Sequence, residues 1–350
     1  GGTPAQISGP TGPMTVVMAS TVATLVARNP ESGLAMVLTV VMLGGLFQIL
    51  LGLLRLGKYI TLMPYTVISG FMSGVGVIII VLQIGPLLGQ EGTAGVVNSI
   101  VAIPNYLRDI NPPAAALGLL TLAIVFAAPA RLNRILPAPL IALVACTLLS
   151  MWGFPNSNIP HIGDIPGGLP TFHRPQFEWQ TLKDMLVYSV MLGTLGALDS
   201  LLTSLVADNV TRTQHDSDRE LIGQGIGNMV SGLFGGLPGA GATMRTVINV
   251  QAGGRTPVSG IVHALLLAVV VWKASFLTEP IPNAVLAGIL IKVGIDIIDW
   301  GFIKRAHRLS TKGAGVMYLV LGLTVFVDLI TAVAVGVFVA NLLTIQSLTD

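Results

Sequence analysis

Residues 34–54 and 66–89 contain no Asp, Glu, Lys or Arg. A helix that crosses a bilayer needs about 20 consecutive apolar residues. Comparable runs cover 184–207 and 257–273, and paired or shorter ones cover 13–27, 113–128, 137–152, 219–237, 242–251, 282–298, 313–329 and 331–347. That is about twelve segments, several too short to span alone. Charged residues make up only 10% of the chain, against roughly 25% in a soluble domain. So few charges could not cover a water-facing surface, and the fold class expected is an all-α polytopic membrane protein. A net charge of +2 gives no argument for nucleic acid, and the single Cys146 excludes an internal disulfide or a cysteine metal cluster.

Polar connectors separate the runs. Arg55-Leu-Gly-Lys58 closes one, 129–134 separates two more, and 153–180 reads as an external loop with five prolines. Thr211–Glu220 is the most charged connector, and Asp299–Lys312, with Lys304, Arg305, Arg308 and Lys312, reads as an interfacial helix and loop. If 55–65 is cytoplasmic, that side holds Arg55, Lys58, Arg131, Arg134, Arg212, Arg219, Arg255, Lys304, Arg305, Arg308 and Lys312, eleven residues. The opposite side holds Arg28, Arg108, Arg174, Lys183 and Lys273, five residues. Basic residues favour the cytoplasmic side, and eleven against five supports this orientation.

An internal repeat sets the architecture. Ser8-Gly-Pro-Thr-Gly-Pro-Met-Thr15 and Pro238-Gly-Ala-Gly-Ala-Thr-Met-Arg245 are small-residue breakers, and each feeds a short apolar helix. Broken helices in matching places of two halves point to a transporter's binding site. Two helices precede the second breaker and none the first, so about 55–60 residues with two helices are expected ahead of it. The whole would then be a seven-plus-seven inverted repeat. The chain starts Gly1-Gly2-Thr3, shows no signal peptide and stops at Asp350 after an apolar run. Both ends are accordingly expected to be cut.

A helix that starts inside the membrane presents unpaired N–H groups and the positive end of its dipole. Two such ends form an anion site, here expected at Thr11, Gly12, Pro13 and Met14 and at Gly241, Ala242, Thr243 and Met244. The bland alternative is a pair of packing kinks. Asp199 is the only acid between Asp184 and Asp208, and Thr203 follows it by one turn. With unwound carbonyls at Gly241, Ala242 and Thr243, they form a hard-oxygen set that suits Na⁺. A proton-carrying carboxyl and an ion pair with Arg245 stay open as alternatives. Arg245 itself could deepen the anion field or neutralise Asp199, while Lys292 reads as snorkelling towards the interface.

Other patterns carry no function. Gly52-Leu-Leu-Arg-Leu-Gly57-Lys58-Tyr59 lacks the Ser/Thr of a nucleotide loop. Gly223-Gln-Gly225-Ile-Gly227 and Gly70-Phe-Met-Ser-Gly74 read as helix packing. The five histidines lack ligand spacing. No nucleophile–base arrangement is visible, so the chain is not expected to be an enzyme.

Several motifs resemble the SulP (sulfate permease) family: Gln6–Met14, Asn209–Asn228, and Gly235–Asn249 followed by Ala252-Gly-Gly-Arg-Thr-Pro257. Met63–Gly74 and Lys292–Trp300 resemble its sodium-dependent bicarbonate-transporting members. The resemblance implies one transport domain over 1–350, with a core of 1–54 and 184–251 and a gate of 66–152 and 257–347. It implies that the first two helices and a C-terminal cytoplasmic STAS domain lie outside this chain. It also implies multi-pass placement in the plasma membrane, a homodimer in the full-length protein, and lipid and a small anion as partners. The function expected is Na⁺–bicarbonate symport by alternating access. The anion would be held at Thr11, Gly12, Pro13, Met14, Ala242, Thr243 and Arg245. Na⁺ would be held at Asp199, Thr203, Gly241, Ala242 and Thr243. Another oxyanion such as sulfate, driven by Na⁺ or H⁺, and an uncoupled anion channel are the competing functions.

Overall fold

The computed structural model describes residues 1–60, 64–93, 95–129, 136–155, 157–163, 170–273, 278–309 and 311–327, with 331–332, 335–336, 338–340 and 342 beyond them. Arg131 and Arg134 of the orientation argument, and most of the 331–347 run, lie outside these residues. In chain order the described elements are β1 (Ser8–Gly9), α1 (Gly12–Arg28), α2 (Gly33–Leu53), α3 (Gly57–Ile60), α4 (Tyr65–Leu82), α5 (Ile84–Leu87), α6 (Val96–Arg108), α7 (Pro112–Ala127), α8 (Ala138–Gly153), α9 (Leu182–Thr211), α10 (Ser217–Leu233), β2 (Ala240–Gly241), α11 (Thr243–Gln251), α12 (Pro257–Lys273), α13 (Asn283–Ile297), α14 (Trp300–Leu309) and α15 (Thr311–Phe326). The protein is an all-α membrane fold. By length and composition, α2, α4 and α9 each suffice to cross a bilayer. The bent pair α6–α7, angled at 118°, could make a fourth crossing as one broken span.

Two of these elements differ from the pattern in the sequence. The 66–89 run breaks into α4 and α5 at Gln83. The break falls three residues before Pro86, whose ring would meet the Leu82 carbonyl in a continuous helix. α6 carries Asn98, Ser99, Asn105 and Arg108, and this polar content hid it from a search for apolar runs. It turns into α7 where Asn111 caps the new helix, its side chain accepting from the Ala114 N–H at 3.3 Å. Pro112 and Pro113 occupy the first turn of α7, where a missing N–H costs nothing.

The chain divides into two compact units, Gly1–Met63 with Gly168–Val270, and Pro64–Gly167 with Val271–Asp350. Residues 257–270, placed with the gate in the sequence, fall in the first unit, contiguous with the end of α11. In the first unit α2 packs against both α9 and α10. Gly45 and Gly225 meet face to face: a Cβ on either would lie 2.5 Å from the other's carbonyl oxygen. Gly225 therefore serves helix packing, as its sequence pattern indicates. Ala197, Leu201 and Leu221 form an apolar cluster beside this contact.

In the second unit α4 packs against α13 and α15. A Cβ at Gly70 would meet the Met317 carbonyl at 2.4 Å, which accounts for the Gly70–Gly74 motif. Ala114, Leu117, Cys146, Ile159, Ala284 and Val285 form this unit's buried cluster. Lys292, expected from the sequence to snorkel, pairs with Asp296 one turn along α13 and lies 5.4 Å from the Phe126 ring centre.

Candidate functional site

The two breakers lie side by side. β1 and β2 pair antiparallel, with Ser8 opposite Gly241 and Gly9 opposite Ala240. The Ala242 N–H continues the ladder by donating to the Ile7 carbonyl at 2.9 Å. Each strand turns directly into a helix, β1 into α1 and β2 into α11. α11 has nine residues, so it rises only ~14 Å of a ~30 Å hydrocarbon layer.

The N-cap residues are Thr11 (φ −109°, ψ 161°) and Ala242 (φ −102°, ψ 105°), both extended and neither making a side-chain cap. In α11 the first intrahelical bond runs from the Thr246 N–H to the Ala242 carbonyl. The N–H groups of Thr243, Met244 and Arg245 precede it and keep their donors free of the helix ladder. In α1 the Thr15 N–H bonds to Thr11, and Pro13 has no N–H to give. Both helix ends thus offer positive potential from backbone dipoles within one unit.

Asp199 lies on α9 and is 7% exposed. Its Oδ2 accepts a 2.8 Å hydrogen bond from the Thr11 hydroxyl. The sequence left an Asp199–Arg245 ion pair open. Among the described residues Asp199 makes no ion pair, and the Arg245 guanidinium instead donates to the Pro10 carbonyl. Gly9 makes room for it, since a Cβ there would stand 2.7 Å from Arg245 Nη1. Thr203, fully buried one turn beyond Asp199, donates to the Gly241 carbonyl at 3.0 Å and lies 2.8 Å from the Thr243 hydroxyl. Three of the sequence-selected oxygens therefore meet at Thr203. Asp199 joins them through its helix and Thr11 through its hydrogen bond. Thr11, Gly12 and Arg245 are half-buried, Pro13, Met14, Gly241 and Ala242 are buried, and Thr243 is exposed. A mostly apolar cavity of about 410 Å³ runs beside α1, lined by Pro10, Met14, Met18, Val22, Leu237 and Pro238 among others.

Sequence reasoning missed the polar bracket behind this site. Glu220, 1% exposed, accepts from the Thr3 N–H at 2.9 Å, Gln6 Nε2 at 3.0 Å and Gln224 Nε2 at 2.8 Å. The Ser204 hydroxyl donates to Gln6 Oε1 at 2.9 Å. Asn228 grips both the N–H and the carbonyl of Gly239 and donates to Gln48 on α2. Glu220, Gln224 and Asn228 recur every four residues, a polar stripe along α10 that could have revealed them. The connector before α10 also corrects the reading that no nucleophile–base arrangement is present. Ser217 Oγ lies 2.8 Å from His215 Nε2, and His215 Nδ1 lies 2.6 Å from Asp208 Oδ2. The His215 N–H bonds to the same carboxylate oxygen at 3.0 Å, so the chain of contacts closes the turn between α9 and α10.

Two broken helices whose N-termini meet beside a buried carboxylate, in a chain of apolar helices, define a membrane protein of the broken-helix class. The family model described as the sulfate permease family matches residues 1–320, and the chain belongs to that family. It is 55% identical over 347 residues to the bicarbonate transporter BicA of Synechocystis sp., covering 99% of this chain and 62% of that protein. It is 54% identical over 355 residues to BicA of Picosynechococcus sp., covering 100% and 63%. The chain thus spans about three fifths of the curated relatives it matches. Among solved structures it is similar to the transmembrane domain of a cyanobacterium bicarbonate transporter BicA. That match has a TM-score of 0.89 and 55% identity over 95% of this chain and 85% of that one.

Proposed function

We propose that the protein containing this chain carries bicarbonate into the cell together with Na⁺, by alternating access. The observation that carries the proposal is the hydrogen bond from Thr11, the N-cap of α1, to Asp199. It joins one end of the dipole-lined anion site to the buried acid in the middle of α9. The names of the two relatives at 55% and 54% identity support bicarbonate over sulfate as the anion.

In this mechanism the uncapped ends of α1 and α11 hold the anion and Arg245 adds charge, while the Thr11 and Thr243 hydroxyls turn from Asp199 and Thr203 towards the anion once Na⁺ occupies those oxygens. Asp199, Thr203 and the Gly241, Ala242 and Thr243 backbone hold Na⁺, a hard cation suited to oxygen donors. Without Na⁺, the Asp199 carboxylate repels an anion arriving at the α1 end. With Na⁺ bound, that repulsion is cancelled. Each ion then tightens the other by one common factor, as linkage requires, typically ~1–3 kcal/mol. The unit bearing the site acts as the core and the other as the gate. The full-length protein works as a homodimer in the plasma membrane. Reciprocal titration is the test: half-saturating Na⁺ falls as bicarbonate rises, and half-saturating bicarbonate falls equally as Na⁺ rises. Half-saturating values independent of the second ion contradict the proposal.

A further inference from the structure

The second unit carries a charged surface that ion transport leaves unused. From Trp300 to Val327 the chain has four Lys/Arg residues, Lys304, Arg305, Arg308 and Lys312, and no Asp or Glu. α14 falls at the start of this stretch and leads through 310 into the apolar helix α15. Its two sides differ. Phe302 and Ile303 are half-buried, while Lys304 and Arg305 are exposed, as is Lys312 in the first turn of α15. Trp300 at the first helical position is 46% exposed, and its indole N–H donates to the Ile295 carbonyl at 2.8 Å. An exposed tryptophan beside lysine and arginine at the mouth of an apolar helix is the composition of a membrane–water interface.

The helix is also held rigidly to the unit. Asp299 accepts from the Tyr65 hydroxyl at 2.5 Å and the Ser69 hydroxyl at 2.9 Å, and its N–H donates to Ser73 Oγ at 3.1 Å. Its second oxygen caps α14 by accepting from the Phe302 N–H at 2.9 Å. The Phe302 ring meets Tyr65 edge-on at 5.6 Å. The acid nearest the basic residues is therefore occupied by three donors, and Asp296 is paired with Lys292. Among the described residues Lys304, Arg305 and Lys312 form no ion pair; the Arg305 Nε–H donates back to the Gly301 carbonyl at 3.0 Å.

We propose that α14 is a docking surface for the anionic headgroups of the bilayer, with Lys304 and Arg305 as the phosphate-binding pair. Charge complementarity carries the choice. A stretch with four cations and no acid, three of them exposed at the entry to an apolar helix, matches a phosphodiester surface, and each cation near such a surface contributes ~1 kcal/mol. A neutral headgroup offers no such gain. The Asp299 clamp transmits the contact to α4, so the lipid steadies the α4–α14 corner of this unit.

The test is binding of radiolabelled phosphatidylglycerol to the purified full-length protein in neutral detergent, with phosphatidylcholine in parallel. Phosphatidylglycerol should be held preferentially, and Lys304→Gln/Arg305→Gln should weaken it roughly 30-fold, the equivalent of ~1 kcal/mol for each charge removed. The charge-preserving Lys304→Arg/Arg305→Lys should retain it. Inorganic phosphate at millimolar concentration should fail to displace the lipid, which separates a headgroup surface from a free-phosphate site. Equal retention of both lipids, undiminished binding by the neutralised variant, or displacement by phosphate alone overturns the proposal.

Discussion

Gly241 is the tightest point of the site, and replacing it with alanine gives the sharpest structural test. A Cβ at this position would stand 2.1 Å from Gln6 Nε2 and 3.0 Å from Ser200 Cα. The end of a glutamine could normally swing away at little cost. Here Gln6 is pinned at both ends, Nε2 by Glu220 at 3.0 Å and Oε1 by Ser204 at 2.9 Å. Moving it breaks two buried hydrogen bonds, and the one to the carboxylate is worth ~1.5–3 kcal/mol. Not moving it imposes an overpacking cost of about 1–3 kcal/mol. Gly241→Ala should therefore destabilise the first unit by roughly 1–3 kcal/mol if the methyl is tolerated by overpacking, or roughly 2–4 kcal/mol if Gln6 is displaced. The assay is thermal unfolding in detergent, which should show melting several degrees lower. Gln6→Ala should be destabilising alone, but it opens the space the new methyl needs. The double variant should then be hardly worse than Gln6→Ala, a non-additivity expected of residues in contact. An unchanged melting temperature for Gly241→Ala, or strictly additive effects, would refute the reasoning.

Arg245→Ala removes the guanidinium from the Pro10 carbonyl and from the pocket left by Gly9; the bicarbonate KM should rise several-fold while half-saturating Na⁺ stays put, and a shift confined to Na⁺ would contradict this. Glu220→Gln sets an amide against the three N–H donors that now converge on the carboxylate. It should cost about 1–3 kcal/mol, and melting at the wild-type temperature would rule that out. Burial raises the Asp299 carboxyl, but the hydrogen bonds from Tyr65, the Phe302 N–H and Ser69, together with Arg305, outweigh it and hold the group below its ordinary range. Its stabilisation is present above the unfolded carboxylate pKa and is lost as pH falls through the lower folded value. Asp299→Asn should therefore melt lower than wild type at pH 7, with the gap closing in acid; a gap independent of pH would exclude this role.

The parts of the site that the sequence displayed are those with a local cause. The breakers are visible because glycine and proline stop helices wherever they occur. Asp199 stands out because an acid is rare in a membrane helix, and Thr203 follows from helical spacing alone. What stayed hidden depends on partners far along the chain. Nothing near Ser8 announces that it will lie opposite Gly241 in a ribbon. Arg245 closes the second breaker, yet its partner is the carbonyl of Pro10, 235 positions away. Glu220 sits among Asp216, Asp218 and Arg219 in the most charged connector, and this company masks that it points inward to Thr3 and Gln6. α6 escaped for the opposite reason, because its polar residues weaken a signal that rests on apolarity.

The central claim is that Asp199 couples the anion to Na⁺. The most direct measurement is the initial rate of bicarbonate uptake by the full-length protein in Na⁺ and in choline medium, for wild type and Asp199→Asn. The Asn keeps the size of the side chain and removes its charge, so the cation ligand and the repulsion disappear together. The account predicts strong Na⁺ stimulation in wild type and none in Asp199→Asn. Equal wild-type uptake in the two media, or full stimulation retained by Asp199→Asn, would contradict it.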